Sequence, residues 1–316
     1  MYMSTDLGKG HLAMLAASVM WGAMAPVSKY VMSAGLVGSI VVTDVRIFGA
    51  AVLFWIFSLF AGSEKVRKKD YLKLFFAGLF AIVCNQGVYI TGVSMTSPVD
   101  ASIITTSLPI VTMIFAALWL KEPVTLMKAG GVALGLGGAL LLVFGNRLVP
   151  GAAQAAHSAA ASSNVFGDLL CLLAQCSYAV YLVLFKDLIS RYSPVTLMKW
   201  MFTFASAVML PLSVGKFISS PWGEVPLDQF AGLGFILFCG TFLCYLLVPV
   251  GQKNLRPTLV AMYNYVQPIV ATTIAVIWGM DSFNILKVIA VVLVFSGVLL
   301  VNRSKSRADV LKESDK

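Results

Sequence analysis

The feature that most constrains this chain is an internal echo: prolines, glycines and a lysine of the first half recur 159 positions later. Pro98, Pro109, Lys128 and Gly138 are matched by Pro257, Pro268, Lys287 and Gly297, and Gly92 and Gly251 keep the same register. These positions lie in or beside apolar stretches, so the fold uses one pattern of membrane-length segments twice. The first parts of the halves repeat it again. GHLAMLAASVMWGAMAPVSK set against GDLLCLLAQCSYAVYLVLFK pairs Gly10 with Gly167, Trp21 with Tyr178 and Lys29 with Lys186, and Arg46 aligns with Lys199 after a four-residue gap.

With 59% apolar residues, 12% charged residues and a mean hydropathy of +0.88, the chain falls outside the range of soluble domains. A helix needs about 20 apolar residues to cross roughly 30 Å of hydrocarbon. Such spans read at residues 11–33, 37–60, 73–95, 99–120, 124–146, 165–186, 193–214, 228–248, 256–279 and 282–302. Gly279, Met280 and Asp281 alone separate the last two, and Asp281 falls opposite Glu122 at the equivalent hairpin. The expected fold is therefore an all-α integral membrane protein of ten transmembrane helices, built as two five-helix repeats. An odd number of helices per repeat sends the second copy in from the opposite side, so the repeats are inverted. Residues 1–148 form the first repeat and 165–303 the second. The small-residue stretch around 149–164 reads as an external flexible linker and 304–316 as a cytoplasmic tail.

Charge follows this topology. With the N-terminus inside, Lys9, the cluster Lys65, Arg67, Lys68, Lys69 and Lys73, then Lys121, Lys128, Lys186, Arg191, Lys199, Lys253 and Arg256 are cytoplasmic, as is the basic tail. The outer loops offer Arg147 and Lys216, an asymmetry that obeys the positive-inside rule. Stop-transfer patterning thus accounts for the net charge of +9 without a nucleic-acid partner. Cys84, Cys171, Cys176, Cys239 and Cys244 all fall inside spans and read as packing residues. His11 and His157 have no metal-spaced companion, and no HExxH, GxSxG or Walker sequence occurs. No enzymatic activity, metal or cofactor is expected. The first span, with Trp21, Pro26 and Lys29 and no small-residue cleavage site, reads as a retained helix.

The Trp21–Gly22 pair and Lys29, Arg46 on the second span, the run SPVDASIITTSLPIVTMIFAALWLKEPVT and the glycine-rich GGVALGLGGALLLV follow one another in an order that resembles the drug/metabolite transporter superfamily. Within it the chain resembles the EamA-domain proteins of ten helices, over nearly its whole length. The resemblance implies a substrate cavity between the halves, lined by spans one, three, four, six, eight and nine, with five and ten peripheral. The residues of the fifth span agree: Gly130, Gly131, Gly135, Gly137 and Gly138 suit close contact with another helix.

Pro109 and Pro268 sit inside the fourth and ninth spans. Each removes a hydrogen bond and pushes against the carbonyl four residues earlier, that of Thr105 or Asn264. In hydrocarbon such kinks are tolerated where side chains, water or a cavity satisfy the freed carbonyl. The two kinks therefore mark a midplane site. Polar and aromatic residues gather around it: Thr105 and Thr106 in the fourth span, and Tyr263, Asn264, Tyr265 and Gln267 in the ninth. Asn85, Gln86 and Tyr89 in the third span, Thr241 and Tyr245 in the eighth, Gln175 and Tyr178 in the sixth and Ser18 and Trp21 in the first complete the candidate lining. Such groups either bond neighbouring helices or line a watery path.

Charge inside a span is the costliest feature, about 2.5 to 3.5 kcal/mol for a central Lys or Arg on insertion scales. Arg46 has two readings, an anchor for a substrate carboxylate or phosphate, or a donor to carbonyls in the bundle interior. Asp44, the carboxylate deepest in any span, is the first residue to examine for proton coupling, and at spacing two it points away from Arg46. Lys29 and Lys287 read as interfacial, Asp100 and Asp168 as helix-end groups. The expected function is a secondary transporter of a small organic metabolite, an amino acid or related amphipathic compound, working by alternating access. The resemblance favours export. Two further readings stand beside it: an importer of an anionic nutrient using Arg46 or Lys199, and a non-transporting scaffold or lipid-handling subunit. The expected surroundings are a bacterial inner membrane with both termini cytoplasmic, a small-molecule substrate, membrane lipids, and a monomer or homodimer.

Overall fold

The structure is a computed structural model that describes residues 2–32, 35–62, 64–95, 104–144, 165–277 and 285–305. Expectations for the 149–164 linker, most of the 304–316 tail, Asp100, His157, Asp281 and the side chains of Lys29 and Lys287 fall outside those residues. Every described element is helical. In chain order they are α1 (Tyr2–Met32), α2 (Ser39–Ser58), α3 (68–95), α4 (Leu108–Leu120), α5 (Leu126–Phe144), α6 (Val165–Leu184), a short helix Lys186–Arg191, α7 (Pro194–Ser219), α8 (Leu227–Asn254), α9 (257–277) and α10 (Ile285–Arg303). Four of them, α2, α6, α7 and α8, are long and apolar enough to cross a membrane, while α4 and parts of α5 and α10 are shorter apolar helices. Two rods change pitch in mid-course. A π-helical stretch, Leu79–Gly87, interrupts α3, and another, Phe238–Leu243, interrupts α8.

The chain divides into two compact units, Met1–Ile90 with Phe185–Leu255, and Thr91–Leu184 with Arg256–Lys316. In the first unit α1 and α8 run antiparallel in contact along their length. The Tyr30 hydroxyl donates to the Asp228 carboxylate at one end, the Trp21 indole donates to the Gly240 carbonyl (3.1 Å) in the middle, and the Cys244 thiol donates to the Ala17 carbonyl (3.4 Å) beyond it. α2 packs on α7 through Phe54 stacked on Phe202, with centroids 5.6 Å apart, and through the Trp55 indole donating to Thr203 Oγ1 at 2.9 Å. α3 meets α7 at Gly78, where a Cβ would lie 2.7 Å from the Met201 carbonyl oxygen.

Polar groups tie α3 to the start of α7. Asp70, in the first turn of α3, accepts from the Tyr192 hydroxyl (2.7 Å) and from Arg191 Nη1 (2.8 Å). Glu64 accepts from the Ser193 amide (3.0 Å) and hydroxyl (2.7 Å), while Ser193 Oγ in turn caps α7 at the Thr196 amide. The Tyr192 hydroxyl, helped by the Arg191 guanidinium and opposed by desolvation, holds the Asp70 carboxyl below its ordinary range.

In the second unit α5 and α10 approach at backbone distance. A Cβ on Gly131 would lie 2.8 Å from the Gly297 carbonyl oxygen, and one on Gly138 2.7 Å from that of Ala290. Gly135 faces the Tyr265 ring, whereas Gly130 and Gly137 face open space. At the α4–α5 hairpin Lys121 turns the chain through a left-handed conformation (φ 53°). Lys128 and Glu122 then close a 2.6 Å ion pair that is nearly sealed from solvent.

Two outcomes are expected. Gly138→Val forces backbone carbonyl and side chain into one volume, so it should destabilise the α5–α10 pair by about 1 to 3 kcal/mol, read as a lower midpoint in thermal unfolding in detergent. The Asp70 contribution is present above the ordinary carboxylate value near 3.8 and lost as pH falls through the lower folded value. Asp70→Asn should therefore lower the wild-type midpoint at pH 7 and converge with wild type as pH drops below about 4, in melts recorded across pH.

Candidate functional site

Within the first unit, interior polar side chains from α1, α2, α3 and α8 converge. Gln86, at the end of the π-helical stretch of α3, donates through Nε2 to the Tyr245 hydroxyl on α8 at 2.8 Å. Both residues are buried, and in the protein interior this neutral bond carries more weight than it would in water. The Tyr245 ring is held between two others: Trp21 of α1 meets it edge-on at 5.8 Å and Phe202 of α7 at 5.0 Å. Arg46 of α2 donates from Nε to Thr241 Oγ1 at 3.0 Å, and Thr241 donates to the Ile236 carbonyl at 2.9 Å. Tyr245 follows Thr241 by one helical turn, on the same face of α8. Asn85 and Tyr89 flank Gln86 on α3 and are partly exposed.

The other two charged candidates point elsewhere. Asp44 is fully buried with Ser213 Oγ of α7 2.7 Å from its Oδ1, on the side of α2 away from Arg46. Lys199 sets its ammonium 4.5 Å from the centre of the Trp55 ring and 5.8 Å from that of Trp200, a cation–π arrangement.

The remaining candidates belong to the second unit. Gln175 and Tyr178 are buried on α6, where Tyr178 lies against Tyr181 at 5.7 Å. Gln267 donates to Asn264 Oδ1 at 3.0 Å. At the two prolines the helical hydrogen-bond pattern changes. Thr105 ends a helical turn, Thr106 and Ser107 form a turn, and α4 starts afresh with Pro109 in its first turn. In α9 the helix Pro257–Met262 gives way to a 3₁₀ turn, Tyr263–Tyr265, before Val266–Ile277 resumes with Pro268 near its start. A proline without an amide hydrogen is best accommodated in the first turn of a helix, so each rod restarts there instead of bending through it.

Sequence reasoning missed the Lys128–Glu122 pair and the Asp70–Arg191–Tyr192 network. It counted Lys128 among the cytoplasmic cations without pairing it, and the structure shows its side chain fully buried. A signal was available: the repeat carries Lys128 into Lys287 and Glu122 into Asp281, so a cation and a carboxylate recur together in the sequence of both halves.

The arrangement sets aromatic rings, an amide, hydroxyls and one guanidinium side by side inside the first unit. Removing the hydroxyl with Tyr245→Phe leaves the buried Gln86 amide without its partner. Equilibrium unfolding should register a loss of about 1 to 3 kcal/mol.

Comparison with known proteins places these observations in a family. The model of the EamA-like transporter family matches residues 8–144 and again residues 165–303. The chain is 24% identical to the uncharacterized transporter YyaM of Bacillus subtilis over 79% of each chain. It is 22% identical to the uncharacterized inner membrane transporter YedA of Escherichia coli, over 93% of this chain and 90% of that one. The protein WALLS ARE THIN 1 of Arabidopsis thaliana is 24% identical across 94% of this chain and 83% of its own. A solved crystal structure, 16% identical, superposes on 93% of this chain and 98% of its own with a TM-score of 0.73, so the fold is shared.

Proposed function

Because the chain belongs to the EamA-like transporter family and is a membrane transporter, we propose that it exports a small organic metabolite, an amino acid or related amphipathic compound, by alternating access. The transporter is secondary, and its ten spans form two inverted five-helix repeats. Its membrane is the cytoplasmic one, with both termini inside, a reading that the lysine and arginine asymmetry supports.

The observation that carries this reading is the Gln86–Tyr245 hydrogen bond, whose partners are 159 positions apart, the period of the repeat. In an inverted repeat only residues beside the twofold axis can touch their own equivalents. The π-helical stretches keep the same register, starting at Leu79 and at Phe238. The contacts of α5 with α10 exchange in the same way: adding the period to Gly131 and Gly138 gives Ala290 and Gly297, and the contacts are Gly131 with Gly297 and Gly138 with Ala290. Two halves related in this way can exchange conformations across the membrane, which is the geometric requirement of alternating access.

The test is counterflow. Purified protein in proteoliposomes, preloaded with a panel of amino acids, organic acids, amines and nucleosides, should accumulate labelled solute without nucleotide or partner protein. Failure to move every member of the panel, by protein that remains monodisperse, would refute the transporter mechanism and leave the scaffold reading.

A further inference from the structure

Arg46 is the eighth residue of α2, a 20-residue helix long and apolar enough to cross a membrane, so its charge is held inside the span at a cost. A cation in that position ordinarily pairs with a carboxylate. The ion pairs among the described residues are Lys9–Asp6, Lys73–Asp70, Lys128–Glu122 and Arg191–Asp70, and none involves Arg46. Asp44, two residues away, is turned to Ser213. The guanidinium is nevertheless oriented. Thr241 gives its proton to the Ile236 carbonyl, which fixes its oxygen as the acceptor for Arg46 Nε. One edge of the guanidinium is thereby anchored. Its two amino groups have no hydrogen-bond partner among the described residues, and the side chain is half-buried rather than sealed.

An oriented planar fork with free N–H groups matches the two oxygens of a carboxylate, and in a low-dielectric interior that charge-assisted bond is strong. A single cation balances a single negative charge, whereas a phosphate dianion would leave net charge in the span. The neighbouring surface is aromatic, from Tyr245 with Trp21 and Phe202 against it. We propose that the transported solute is a monocarboxylate with an apolar or aromatic body, and that Arg46 binds its carboxylate through the open edge of the guanidinium. This rests on the transporter reading and assigns the substrate class to its interior site.

Matched solutes test it: the twenty amino acids, phenylacetate and benzoate, set against phenylacetamide, phenylalaninamide and benzylamine. Thermal shift and counterflow are measured on wild type, Arg46→Gln, Arg46→Lys and Thr241→Val. At least one acid should stabilise and exchange through wild type, while its amide and the amine do neither. Arg46→Gln should weaken that acid by about tenfold or more, and Arg46→Lys, which keeps the charge without the fork, by less. Thr241→Val keeps the guanidinium but removes the hydroxyl that anchors its Nε edge, so it should weaken the acid by less than Arg46→Gln while still favouring acid over amide; a purely structural role of Arg46 would abolish no such preference in Arg46→Gln. Should Arg46→Gln not fold, Arg46→Lys carries the comparison. The proposal is overturned if no acid binds, if acid and amide bind alike, or if the preference survives in Arg46→Gln. Flux confined to neutral or cationic solutes overturns the carboxylate assignment but leaves the transporter; acid binding with no flux of any solute does the reverse.

Discussion

Hydrocarbon offers no water to a polar group, so each one carried into the span has to find its partner inside the protein. That constraint organises the first unit. Trp21 turns its indole to a backbone carbonyl, Gln86 turns its amide to Tyr245, Asp44 lies against Ser213, and Arg46 against Thr241. Each of these bonds joins two different helices. Polar side chains therefore fix which helices are neighbours, and glycines fix how closely they approach, as at Gly78 on Met201.

The π-helical stretches belong to the same logic. A π turn inserts one residue and leaves its carbonyls in a wider ring, where side chains five residues on can reach them. Thr241 Oγ1 bonds the Ile236 carbonyl and Cys244 Sγ the Cys239 carbonyl (3.2 Å), both across that interval. Thr241 thus serves its own backbone and orients Arg46 with one hydroxyl. Gln86 lies one residue before the end of the first stretch and Tyr245 two residues after the end of the second.

Much of the helical order was legible in the chain because hydrophobic length and proline and glycine placement are local properties. The interruptions before Pro109 and Pro268 were legible as sites of disturbance, since a missing amide hydrogen acts within one turn. Their form, a turn at Thr106–Ser107 and a 3₁₀ turn at Tyr263–Tyr265, depends on neighbours and was not. Pairings were hardest. Spacing along one helix says that Tyr245 shares a face with Thr241, but not that Gln86 lies across from it, nor that Lys199 rests on Trp55 instead of reaching the interior. The burial of Lys128 was not legible because a lysine beside a hairpin is usually solvated, and only its contact with Glu122 distinguishes it.

The Gln86–Tyr245 contact also bears on how the two halves are encoded. Under the inverted-repeat reading, two separate copies of one five-helix chain assembling in opposite orientations would bring the same residue to both sides of the axis, glutamine to glutamine or tyrosine to tyrosine. A donor on one side and a different acceptor on the other require the two sides to be encoded independently. In one chain the two sides are encoded separately, so under the same reading an amide can stand on one side of the axis and a phenol on the other.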